Sequence, residues 1–211
     1  FIDDFRFVET TDQLRATNEI INDLEHEKPM NRLLVGDVGF GKTEVFMRAA
    51  FKIIENKGQV AILAPTTVLT AQHYGVFKER FSKFPIKIEY LSRFNTKEEN
   101  FKIIEQLNKG NVDIVIGTHR LLSSDVKFKN LKLLVVDEEQ RFGVKQKEKI
   151  KELNYAAHVL SVSATPIPRT LSMALSSIQE ISIITEPPKN RKSIQTELIK
   201  ISEESNSPGQ W

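Results

Sequence analysis

Seven short apolar runs punctuate this 211-residue chain, and polar residues return at helical intervals between them. The runs lie at residues 32–36, 60–65, 86–91, 113–117, 131–137, 158–163 and 181–185. They are continuous rather than alternating, the pattern of strands covered on both faces in a parallel sheet. Helical spacing occupies 42–55, 68–81, 96–108, 145–152 and 168–176. One more helix is expected after Thr10, because Thr10 and Gln13 fit a capping box. Strands alternating with helices predict an α/β fold, a mainly parallel sheet with helices on both faces. In such sheets ligands sit beyond the carboxyl ends of the strands. The polar residues that terminate each run are therefore the first candidates for chemistry.

The first run ends in Gly36-Asp37-Val38-Gly39-Phe40-Gly41-Lys42-Thr43, which meets G-x-x-x-x-G-K-[ST] at every fixed position. Flanked by a strand and a helix, this motif is a phosphate-binding P-loop. Its glycines let the backbone close around phosphate oxygens, and its N–H groups point at the anion. Lys42 would reach the β- and γ-phosphates, and Thr43 would offer its hydroxyl to Mg²⁺. The fifth run ends in Asp137-Glu138. An acidic strand end is the second element such a site requires. Asp137 would hold Mg²⁺ and Glu138 would orient and deprotonate the attacking water. The expected cofactors are ATP and Mg²⁺.

Other run ends carry weaker signals. Ser163-Ala164-Thr165-Pro166 could couple the acidic site to a nucleic-acid path, or Thr165 could simply cap a helix that starts near a proline. Thr66, Thr67, Arg93, Thr118, His119 and Arg120 each follow a strand, and as a set they suggest a phosphate-tracking surface. Gln13 could read the adenine edge, with Phe5 or Phe7 against the base, since an amide offers both a donor and an acceptor. The basic stretch 145–151 reads as a solvated helix face.

Composition narrows the setting. A net charge of +2 does not announce a nucleic-acid binder, so any basic surface must be local. The absence of cysteine excludes a disulfide framework and a thiolate zinc site. No apolar run reaches transmembrane length, so no membrane partner and a cytoplasmic location are expected. Phe1 is not an initiator methionine, and residues 205–211 show no periodicity, as expected of a piece of something longer. Residues 186–192, with two prolines and a charge cluster, read as a linker, and 193–201 alternate like one more strand. The expected division is therefore one domain over 1–186, with 187–211 as linker and either the start of a second lobe or an unrelated tail.

Together these motifs resemble the first motor lobe of superfamily-two helicases and translocases, a RecA-like P-loop NTPase domain. The match sharpens in Gly36 through Val45, Arg48-Ala49-Ala50-Phe51, Leu91-Ser92-Arg93-Phe94, Gly117-Thr118-His119-Arg120, Asp137-Glu138-Glu139-Gln140-Arg141-Phe142-Gly143 and Ala164-Thr165-Pro166-Ile167-Pro168-Arg169. These segments, spread over about residues 5–198, resemble the bacterial transcription-repair coupling factors (Mfd). RecG-type branched-DNA helicases are the nearest relatives. Phe40, Glu44 and the run from Arg48 separate the two, while Phe46 departs from the usual alanine. The resemblance implies an ATP-hydrolysing, double-stranded DNA translocase that displaces stalled RNA polymerase and serves excision-repair proteins through regions absent here. It implies a second RecA-like lobe as partner, nucleotide contacts along 36–43, and DNA near Thr66, Arg93, Thr118 and Arg120. Arg169 would sit with Ser163 and Thr165 in a motif that senses nucleotide state. An isolated lobe would turn over ATP weakly. The alternatives are a RecG-type lobe and a nucleotide-switched protein-binding module.

Overall fold

Continuous apolar strands need cover on both sides, and the computed structural model, which describes residues 8–165 and 179–188, supplies it. The strands are β1 (Asn31–Gly36), β2 (Gln59–Leu63), β3 (Ile88–Leu91), β4 (Ile114–Gly117), β5 (Leu131–Asp137), β6 (His158–Ser163) and β7 (Glu180–Ile184). They form one sheet in the order β3-β4-β2-β5-β6-β1-β7, and every pairing is parallel. The helices are α1 (Thr11–Leu24), α2 (Lys42–Glu55), α3 (Thr67–Arg80), α4 (Lys97–Lys109) and α5 (Val144–Leu153).

Successive side chains of a strand point to opposite faces, so each run feeds two cores. Val60, Ile62, Leu133 and Val135 join Ile20 of α1, Phe46 of α2 and Phe77 of α3. Ala61, Leu63, Leu134 and Val136 join Leu107 of α4 and Ile150 of α5. Phe46 is fully buried and stacks on Phe77, so its bulk is taken up by an aromatic partner on α3.

Element ends follow capping chemistry. Thr10 accepts from the Gln13 amide nitrogen while the Gln13 side chain accepts from Thr10 N at 3.0 Å, the capping box that the sequence predicts. Thr96 and Glu99 repeat the device at α4, which stops at Gly110 in the left-handed conformation. The third strand starts later than its apolar run. Ile86 N donates to Phe84 O within a turn, and Lys87 N donates to the Asp113 carboxylate at 2.7 Å, so both amides are engaged away from the backbone ladder. The predicted helix over 168–176, the strand over 193–201, Phe5, Phe7 and Arg169 lie outside the described residues.

Candidate nucleotide site

The strand order places the chemistry. β5, β6 and β1 are neighbours, with Asp137 paired to Val162 and Val35 paired to Ser163 in register. Three adjacent strands therefore end level with one another, delivering Asp137-Glu138, Ser163 and the Gly36 loop to one edge. The other half of that edge, from β3, β4 and β2, delivers Arg93, Thr118 and Thr66.

The loop is shaped by its own backbone. Asp37 turns back to accept from Val38 N at 2.8 Å, and Phe40 N donates to Asp37 O at 3.2 Å. Gly41, the N-cap of α2, has φ 77°, where a side chain is strained. A Cβ there would also collide with the Gln13 amide nitrogen. That nitrogen donates to Phe40 O at 2.8 Å, so α1 is pinned to the loop. Each end of the Gln13 amide thus has a protein partner, leaving one N–H and one lone pair for a base edge.

Lys42 Nζ donates to the carbonyls of Gly36 and Asp37 at 2.5 and 2.9 Å, which holds the ammonium over the loop. Burial pushes its pKa below the ordinary lysine value, and the carboxylates of Glu138, Asp137 and Asp37 oppose that shift. The lysine and the acidic strand end therefore share one electrostatic environment.

Glu138 has φ 53°, uncommon for a residue with a side chain, and its N–H donates to Val162 O at 2.8 Å. Its carboxylate accepts from Ala164 N at 3.0 Å and from the Gln140 amide. Such conformations persist only where the surroundings enforce them, and they cluster at functional sites. The acid thus touches the exit of β6, where the hydroxyls of Ser163 and Thr165 lie 2.7 Å apart. The neighbouring Glu139 accepts from Ser161 Oγ at 2.6 Å.

On the other half of the edge, Thr66 caps α3 by accepting from Leu69 N, and Thr67 begins the helix. Arg93 is exposed with its guanidinium 5.5 Å from the Phe94 ring centroid. Thr118 is buried, while His119 beside it is exposed. Arg120 makes a two-pronged pair with Asp125 at 2.7 and 2.5 Å. The basic helix α5 buries only Ile150 and is otherwise a solvated face, with Lys149 bonded to Leu122 O.

Sequence reasoning missed several groups. His73 of α3 meets Asp137 Oδ2 at 2.9 Å. Its signal was the buried face Thr70, His73, Phe77, where a histidine stands among core positions. Glu44 receives Arg80 at 2.8 and 3.1 Å and Arg48 at 3.1 Å, and Arg48 also pairs with Glu9 at 2.5 Å. Two of the residues that distinguish the resemblance, Glu44 and Arg48, thus belong to an ion network beneath the loop.

A seven-stranded parallel sheet whose neighbouring strand ends carry a P-loop motif and an acidic pair matches a RecA-like helicase lobe. The chain belongs to the DEAD/DEAH box helicase family, whose pattern it matches over residues 10–174. More narrowly, it is similar to the transcription-repair-coupling factors. It is 56% identical to that of Bacillus subtilis (strain 168) over 196 residues, 93% of this chain and 17% of the relative. Against that of Escherichia coli (strain K12) the identity is 51%, again over 93% of this chain and 17% of the relative. The chain therefore spans about a sixth of the length of these relatives. Among solved structures it is similar to RecG bound to a three-way DNA junction, with a TM-score of 0.80 and 42% identity over 92% of this chain and 26% of that one. The resemblance to coupling factors is borne out. Among the described residues no helix is long and apolar enough to cross a membrane.

Proposed function

We propose that this chain is the ATP-binding lobe of a double-stranded DNA translocase that couples transcription to repair by displacing stalled RNA polymerase. The observation that carries the reading is the level alignment of β5, β6 and β1, which gathers Lys42, Thr43, Asp137 and Glu138 at one edge. Identity above 50% to two coupling factors, against 42% to the RecG structure, favours the coupling-factor role over the branched-DNA one.

Each residue has a task. The loop amides of 36–43 and the Lys42 ammonium would neutralise the phosphates, and Gln13 would select the base. Thr43 and Asp137 supply the oxygen donors Mg²⁺ prefers. No group of three or more His, Cys, Asp or Glu suited to a metal occurs among the described residues. The ion would be held by one carboxylate, a hydroxyl and substrate oxygens. Mg²⁺ there would offset charge on the β- and γ-phosphate oxygens. Glu138, held by Ala164 N, would take a proton from water. Thr66, Thr67, Arg93, Thr118, His119 and Arg120 would face the DNA backbone, with Ser163, Thr165 and Arg169 linking the two halves.

The lobe alone should hydrolyse ATP poorly, because an arginine from a second lobe can contribute on the order of 10³–10⁵ in rate. The test joins this domain to its second lobe and measures DNA-stimulated ATP hydrolysis. Glu138→Gln should abolish turnover while keeping nucleotide binding. Turnover that survives Glu138→Gln, or a two-lobe protein without DNA-dependent hydrolysis, would overturn the motor reading.

A further inference from the structure

His73 lies on α3 and takes no part in the site predicted from sequence, yet its Nε2 is 2.9 Å from Asp137 Oδ2. A carboxylate only accepts, so Nε2 carries the proton and donates. Both side chains are largely buried, at 11% and 14% exposure, so solvent competes little for this bond. The imidazole is itself held in place. The Phe46 ring meets it edge-on at 5.8 Å, Phe46 stacks on Phe77 at 5.9 Å, and Phe77 stacks on Phe81 at 5.5 Å. Phe46 stands three residues after Thr43 on α2. The helix that begins with Lys42 and Thr43 therefore also fixes the ring that fixes Asp137.

We propose that His73 is a positioning residue for the divalent-cation site, locking Asp137 through Oδ2 so that Oδ1 is presented to the ion or its water. Among the described residues Oδ1 takes no protein hydrogen bond. Groups that orient metal-binding side chains typically change metal affinity 10- to 100-fold when removed. Because Mg²⁺ demands near-ideal octahedral geometry, a carboxylate free to rotate loses more for this ion than for a larger one. The inference rests on the nucleotide reading above and adds to it a residue that touches neither nucleotide nor ion.

The experiment titrates the 211-residue chain with fluorescent mant-ADP, first in EDTA and then across a MgCl₂ series. His73→Phe keeps a ring against Phe46 and removes the donor. His73→Leu removes it with less bulk, and one of the two folding suffices. His73→Gln restores an N–H at a similar reach. The donor-less variants should need about tenfold more MgCl₂ to tighten ADP. Their metal-free ADP affinity should stay within about twofold of the parent, and His73→Gln should return the midpoint most of the way. An unchanged midpoint in a folded donor-less variant overturns the inference. So does an equal shift in His73→Gln, or a parallel loss of metal-free affinity. If the unaltered chain binds no ADP, the nucleotide reading falls and takes this inference with it. ADP binding with an unmoved midpoint sinks the inference alone.

Discussion

The side-chain nitrogen of Gln13 donates to the carbonyl of Phe40 at 2.8 Å, joining the first turn of α1 to the phosphate loop across 27 residues of sequence. The same side chain closes the capping box through Thr10 N. Gln13→Ala would leave a buried N–H and a loop carbonyl unsatisfied. The expected cost is about 1–2 kcal/mol of stability, read from urea midpoints at constant m-value. Gly41→Ala attacks the contact from the other side, since its Cβ would strike the Gln13 nitrogen at a left-handed φ. It should weaken ATP binding as well as stability.

Glu44 is a single carboxylate shared by two guanidinium groups, and it is 10% exposed. Glu44→Ala removes that charge from the buried Arg48, which keeps Glu9, and from the partly buried Arg80. Hydrogen bonds to charged groups are worth about 1.5–3 kcal/mol. The expected outcome is a loss of that size in urea denaturation, with a smaller loss in a Glu44→Gln chain that keeps an acceptor.

These contacts mark the border of what the sequence makes legible. The strands, the parallel character of their sheet and the P-loop follow from continuous apolar runs and from a motif whose residues are contiguous; the strand order does not. Asp137 and Glu138 were visible because they end an apolar run. Gln13 was visible as a cap, but its grip on Phe40 was not. His73 with Asp137 and Glu44 with Arg80 are separated by 64 and 36 residues, and no local spacing encodes such pairs. They are set by which helix packs over which strand. Local chemistry likewise placed Arg120 in a phosphate-tracking set, and its pairing with Asp125 is set by the fold.

Asp12, next to Gln13, receives Thr185 N at 2.8 Å, Thr185 Oγ1 at 2.7 Å, Glu186 N at 3.2 Å and the Arg15 guanidinium at 2.8 Å. Burial alone would raise its pKa, but these donors outweigh it and hold the carboxyl well below its ordinary 3.8. The folded state therefore binds this proton less readily than the unfolded chain. The bonds contribute fully above 3.8 and are lost as pH falls through and below it. The parent should be more stable than Asp12→Ala by about 2 kcal/mol at neutral pH. That gap should close as unfolding is followed into acid. A gap that holds constant down the acid limb would mean that Asp12 acts by packing instead.

Arg120 bears directly on the proposed DNA path. Its pair with Asp125 is partly exposed, with the acid's side chain 56% accessible, and such pairs are worth only about 0–1 kcal/mol. A DNA phosphate could therefore take the guanidinium from Asp125 at little cost, and the pair would keep the fork oriented until then. In a protein carrying both lobes, Arg120→Ala should weaken duplex binding for all sequences alike. It should also reduce the slope of log affinity against log salt concentration by about one. Asp125→Asn, which removes the competing charge and keeps Arg120, should move affinity the other way. Duplex affinities across a KCl series measure both. A salt slope that Arg120→Ala leaves untouched would place Arg120 off the DNA path and assign its pair with Asp125 to holding the loop after β4.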